Sequence, residues 1–259
     1  MEELTFFDAN CMVGKWSAYS ERFPLGRQAL IREMDKYKIE KALVYSAQSR
    51  EYHPVVGNEA LMEGIEGDNR LYPSWSALPH FSDEMPSPEE FIGLMKEKKV
   101  RSVRLFPDDS VHRFSLEEWS MGRLFDRLEE ARVPVFLDFT NLSFNGDDFS
   151  ADSIYSICHH HPNLPVIILQ PGYRTCRTLF PLLDRFNNLY VEISRFLVHR
   201  GVEYICKNFG PERLIFGTKL PHQSPGLAVT MVVYANISQE EKRMIAGGNL
   251  ERLLKEVRW

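Results

Sequence analysis

Residues 210–221 read Gly210-Pro-Glu-Arg-Leu-Ile-Phe-Gly-Thr-Lys-Leu-Pro221. Leu214–Thr218 is a short apolar run of strand character, and Lys219 stands immediately beyond it. Working outward, further runs of the same kind are Leu4–Val13, Ala42–Ser46, Leu71–Ala77, Val100–Phe106, Val133–Thr140, Pro165–Gln170 and Leu189–Ile193. They recur at intervals of roughly 24 to 37 residues, which leaves room for one helix after each strand. The pattern predicts a single (β/α)8 barrel filling one domain, residues 1–259. A length of 259 residues with 44% hydrophobic content suits such a barrel.

Helix starts are written into the sequence. Ser87-Pro88-Glu89-Glu90, Ser115–Glu118 and Ser238–Glu241 have the form of capping boxes. The helix after Ser115 sets Leu116, Trp119, Leu124, Phe125 and Leu128 near helical spacing, an apolar stripe for packing on the barrel. His159, His160 and His161 precede Pro162 and read as solvated residues at a helix end.

The net charge of −5 gives no reason to expect nucleic acid or an anionic membrane as partner. No run has the length of a spanning helix and no secretory signal is visible, so a cytoplasmic protein is expected. Cys11, Cys158, Cys176 and Cys206 lack any Cys-x-x-Cys spacing and read as reduced structural thiols.

Several segments together resemble the metal-dependent branch of the amidohydrolase superfamily. Phe7-Asp8-Ala9-Asn10-Cys11-Met12-Val13-Gly14 keeps the frame of its opening D-x-H-x-H-x-G, with Asn10 and Met12 at the two histidines. Met34–Val44 matches its next helix and strand, and Ser102–Pro107 its fourth strand, with Arg104 inside. Val133–Leu137 leads to Asp138 where the family has histidine, and His161–Leu169 leads to Gln170 at another histidine. Asn188–Ser194, containing Glu192, resembles its seventh strand. The phrase at 210–221 resembles its eighth, with Lys219 in place of a metal-bound aspartate. The resemblance implies a barrel with its site at the C-terminal strand ends, hydrolase chemistry, and a homodimer as one option that the sequence itself does not show.

None of the five ligand positions keeps its expected ligand type. Metal-dependent hydrolysis needs imidazole and carboxylate holding an ion with an open position. An ammonium at Lys219 would oppose a divalent ion by several kcal/mol even at an effective dielectric of about 20. The expectation is therefore a site with no metal and no other cofactor. In it Lys219 and Asp138 pair as opposite charges in the ion's place. Arg104, Arg195, Lys219 and His222 then favour an anionic small molecule such as a carboxylate.

Asp138, Lys219 and His222 are the candidate catalytic residues: a carboxylate base, an amine base or oxyanion stabiliser, and a proton shuttle. Asn10, Met12, Arg104, Gln170, Glu192 and Arg195 are the candidate substrate-binding set. The alternative is a catalytically inactive binding or assembly subunit, its site plugged by Lys219 and Asp138.

Overall fold

The computed structural model describes residues 4–17, 26–139 and 150–259. The part of the expected strand Val133–Thr140 that falls on Thr140 lies outside them. The strands are β1 (Phe6–Val13), β2 (Ile39–Ser46), β3 (Leu71–Pro73, resuming as Trp75–Ser76), β4 (Val103–Leu105), β5 (Val135–Leu137), β6 (Val166–Ile168), β7 (Leu189–Glu192) and β8 (Leu214–Ile215). Each pairs in parallel with the next. β3 changes partners at Ser74, whose amide donates to Val44 O at 2.8 Å while that of Trp75 donates to Ser102 O at 3.2 Å. The ring closes where Ala9 N donates to Phe216 O at 3.0 Å and Met12 N to Leu220 O at 2.8 Å. This is a (β/α)8 barrel.

Helices α1 (Arg27–Lys36), α2 (Pro54–Ile65), α3 (Pro88–Lys98), α4 (Glu118–Glu130), α5 (Ala151–His160), α6 (Cys176–Arg185) and α7 (Gly201–Phe209) follow the first seven strands. At the start of α3 the Glu90 amide donates to Ser87 Oγ at 3.3 Å and the Ser87 amide to Glu90 Oε2 at 3.0 Å, the reciprocal pairing of a capping box. Ser238 and Glu241 repeat it. Ser115 does not: α4 begins at Glu118, and Ser115 Oγ accepts instead from the Glu117 amide at 3.2 Å. With the helix starting later, Trp119 falls on its outer face and is 76% exposed. The buried stripe is Met121, Leu124, Phe125 and Leu128, spaced i, i+3, i+4, i+7.

His159 and His160 are exposed as expected, but His161 is buried. Its Nε2 lies 2.9 Å from Glu118 Oε1, and its ring packs edge-on to Phe125. Carboxylates on α4 thus draw it in from the end of α5.

Strand alternation divides the core. Phe7, Ala9, Leu43, Phe136, Ile167, Tyr190 and Ile215 form one cluster, the barrel interior, which Leu250, Leu253 and Leu254 join beside Phe7 near the start of β1. Their neighbours Val44, Val103, Leu105, Val135, Leu137, Val166 and Val191 belong to the larger layer under the helices. All four cysteines are unpaired thiols. Among the described residues no helix is long and apolar enough to cross a membrane.

Candidate functional site

Above the apolar interior, at the C-terminal strand ends, the side chains turn polar while staying buried. Asn10, Arg104, Asp138, Gln170 and Glu192 are each at most 6% exposed. A buried polar layer persists only if its members satisfy one another. Here most do.

Arg104 is the hub. Its Nη2 lies 2.6 Å from Asp138 Oδ2 and 2.7 Å from Asn10 Oδ1. The guanidinium carbon sits 3.9 Å from the centre of the Tyr45 ring and 5.5 Å from that of Phe106, so the cation is stacked as well as hydrogen-bonded. Adjacent parallel strands explain the pairing. β4 runs beside β5 with Arg104 in register with Phe136, and one pleat further along β5 stands Asp138.

Asn10 passes the network on: its Nδ2 donates to Glu192 Oε2 at 3.1 Å. Glu192 also accepts from Ser194 N at 2.7 Å, Ser194 Oγ at 2.9 Å and Gln170 N at 3.2 Å. Burial nevertheless pushes its carboxyl up to about 7, the donors offsetting only part of the lost hydration. Gly217 makes room for it. A Cβ at that position would lie 2.7 Å from Glu192 Cδ. Asp8 is a clamp between the first and last strands: it accepts from Asn10 N at 2.9 Å, from Thr218 N at 3.0 Å and from the Thr218 hydroxyl.

Lys219 does not pair with Asp138 as the sequence suggests. Among the described residues it makes no ion pair, and Asp138 is held by Arg104. The guanidinium fork comes from the neighbouring strand and takes the carboxylate that a single-residue reading assigns to the lysine. Lys219 is in the left-handed region, φ +63°. Burial pulls its ammonium down to about 8; Asp138 opposes that shift, while Arg195 and Arg104 add to it.

His222 follows on the same turn, its amide donating to Lys219 O at 2.8 Å. Its ring meets Trp16 edge-on at 4.2 Å, and burial with the Lys219 charge drives its pKa down to about 4. Met12 lies with Tyr45, Ala47 and Phe106 in an apolar shelf beside Arg104. Arg195 is half-buried just past β7.

Gln170 differs from its neighbours. It too is left-handed, φ +55°, and neither side-chain amide atom has a partner among the described residues. Leaving such a group unmet when buried costs about 1–3 kcal/mol.

The structure thus brings Asn10, Arg104, Asp138, Gln170 and Glu192 into one layer, with Lys219 electrostatically coupled to it. Sequence reasoning misses the parts played by Tyr45, Gly217, Thr218 and Ser194. Gly217 was legible in principle, as a residue without a side chain at an inward strand position.

The family resemblance implies a divalent ion among Asn10, Met12, Asp138, Gln170 and Lys219. The residues present do not fit one. One Arg104 nitrogen engages both Asn10 Oδ1 and Asp138 Oδ2, so a cation already sits on the oxygens that would bind the ion. The described residues contain no group of three His, Cys, Asp or Glu able to hold a metal. Two clefts of about 450 and 580 Å³ lie at the other end of the barrel, around Phe6, Lys41 and Arg70, and touch none of the polar layer.

The same architecture occurs in solved structures. A 2,6-dihydroxybenzoate decarboxylase from Rhizobium superposes with a TM-score of 0.78 at 14% identity, covering 98% of this chain and 99% of that one. An uncharacterised TIM-barrel protein from Bordetella bronchiseptica gives 0.76 at 16% identity, covering 98% and 99%. A 5-carboxyvanillate decarboxylase from Novosphingobium aromaticivorans, solved with manganese, gives 0.76 at 13% identity, covering 97% and 96%. No curated protein matches the chain. The sequence profile of the amidohydrolase family matches residues 58–255, which spans strands β3 to β8 and the closing helix. With the barrel closed and the strand motifs in family order, the chain belongs to the amidohydrolase family.

Proposed function

We propose that the C-terminal mouth of this amidohydrolase-family barrel binds an anionic small molecule, a carboxylate, without a divalent ion in the site. The observation that carries the reading is Lys219: a half-buried ammonium at a strand end, in left-handed backbone, with no ion pair among the described residues. A buried charge is tolerated when paired, and a carboxylate ligand supplies the pair. Arg195 adds positive potential at Lys219, while the charge of Arg104 is already matched by Asp138. Two structural neighbours are decarboxylases, whose substrates are carboxylic acids; this agrees with the reading at fold level.

Lys219 then binds the carboxylate and stabilises negative charge that develops during hydrolase-like chemistry. Asp138, anchored through one oxygen by Arg104, is the proposed base. His222 is neutral at neutral pH and serves as a hydrogen-bonding partner in that form. The test is calorimetric titration of small carboxylates into the wild-type chain and K219M. The reading expects at least about a tenfold loss of affinity in K219M, the scale of one charge-assisted hydrogen bond. Equal affinities would sink it.

The Arg104–Asp138 pair favours a second reading, a non-catalytic binding subunit whose polar layer is self-compensated. Turnover of any bound acid, lactone or amide by the wild type and its loss in D138N would exclude that reading.

A further inference from the structure

Gln170 closes β6 with a backbone geometry that a residue bearing a Cβ adopts reluctantly, φ +55°. Its amide N–H is tied to Glu192 Oε2 at 3.2 Å, and through Glu192 to Asn10 and Arg104. The residue is 6% exposed, yet neither Oε1 nor Nε2 has a partner among the described residues. Strained backbone and unmet buried polar atoms persist where binding or catalysis requires them, and the C-terminal strand ends are where barrel ligands bind. Lys219, two strands further round, is also left-handed, φ +63°, and its half-buried ammonium has no ion pair among the described residues.

The two unmet groups ask for different things. An ammonium only donates. A carboxamide donates through Nε2 and accepts through Oε1. A bare carboxylate offers acceptors alone, so it satisfies Lys219 and Nε2 and leaves Oε1 buried without a donor. Among the described residues no side chain donates to Oε1. Asn10 Nδ2 is committed to Glu192, Arg104 Nη2 to Asn10 and Asp138, and the Ser194 hydroxyl to Glu192.

We propose that Gln170 is a specificity-determining residue of the mouth, and that the ligand carries a hydrogen-bond donor, a hydroxyl or an N–H, in addition to its carboxylate. The inference rests on the carboxylate reading above. It goes beyond it by excluding simple acids as the preferred ligands.

The experiment uses pairs of acids that differ by one hydroxyl: propionate against lactate and 3-hydroxypropionate, and phenylacetate against mandelate. Each is titrated calorimetrically into the full chain as wild type, Q170L and K219M. The wild type binds the hydroxylated member of at least one pair about tenfold more tightly or better, because a site built to hydrogen-bond a group rejects the analogue lacking it. Q170L brings that pair to equal affinity by weakening the hydroxylated acid. K219M weakens both members by a similar factor. If Q170L does not melt cooperatively, Q170M removes the same two hydrogen-bonding atoms and gives the same comparison.

Equal wild-type affinities across every pair, or a preference that survives in Q170L and Q170M, overturns the inference. The buried amide is then met by water alone, and the carboxylate reading stands provided K219M still weakens binding. If no acid binds, or K219M changes nothing, the carboxylate reading itself falls and takes this inference with it.

Discussion

The guanidinium of Arg104 and the carboxylate of Asp138 meet at 2.6 Å with both side chains almost wholly buried, 2% and 5% exposed. A buried pair is not stabilising in itself, because desolvating both ions offsets their attraction. Removing one partner is another matter, since the remaining ion is left uncompensated. R104M is expected to lower the unfolding free energy by about 3–5 kcal/mol. The double variant R104M/D138L should recover most of that loss. Urea denaturation of the four chains reads the cycle, and a near-neutral R104M would show the pair to be dispensable.

Truncating the same arginine opens a space bounded by Asn10 Oδ1, Asp138 Oδ2 and the face of Tyr45. Free guanidinium matches those three partners in charge, donors and shape. Millimolar methylguanidinium should therefore raise the melting temperature of R104A and leave that of R104A/D138N unchanged. A zinc or manganese ion that stabilised R104A as strongly would instead show an oxygen site suited to metals.

Gly217 faces Glu192 so closely that an added Cβ would lie 2.7 Å from the carboxyl carbon. G217A is expected to destabilise by roughly 1–3 kcal/mol, the usual penalty of overpacking. Replacing Glu192 by alanine in the same chain should relieve the clash, so G217A should cost less in the E192A background. Additive effects in the denaturation cycle would place the strain elsewhere.

Two buried groups set opposite pH slopes. Glu192 has its folded pKa raised to about 7, so its contribution to stability is present below the ordinary carboxylate range and is lost as pH rises through 7. His222 has its folded pKa lowered to about 4, so stability falls as pH drops from the ordinary imidazole value of 6.5 toward 4. H222F should flatten the acid limb of a stability–pH curve while leaving the loss near pH 7 in place. An unchanged acid limb in H222F would contradict the assigned burial of the imidazole.

Much of this architecture is legible in the chain because local chemistry writes it. Ser87 and Ser238 cap their helices as their spacing suggests. Every expected strand overlaps an observed one; most observed strands are shorter, but the second starts earlier, at Ile39 rather than Ala42. Pro165–Gln170 shrinks to Val166–Ile168, and Gln170 leaves the extended region altogether. Residues at strand ends belong to the site rather than to the sheet, so composition overstates the strand there.

Ser115 shows the opposite failure, a valid capping sequence displaced by the tertiary position of the helix. The site was legible as a set of positions and not as a set of partners. Asp138 accepts from Arg104, 34 residues away, and Asp8 from Thr218, 210 residues away, and nothing local in the sequence chooses these over Lys219.

Lys219 carries the ligand reading, and its pKa of about 8 gives it a pH signature. Its folded pKa lies below the ordinary lysine value of 10.5, so the apo protein becomes more stable as pH rises from about 8 toward that value. Carboxylate affinity moves the other way and weakens above pH 8, as the ammonium loses its proton. The most direct measurement is the calorimetric affinity for a bound carboxylate after exhaustive chelation, with and without added zinc or manganese. The account predicts binding that survives chelation, gains nothing from either ion, and declines above pH 8. Binding that disappears on chelation and returns only with a divalent ion would contradict it.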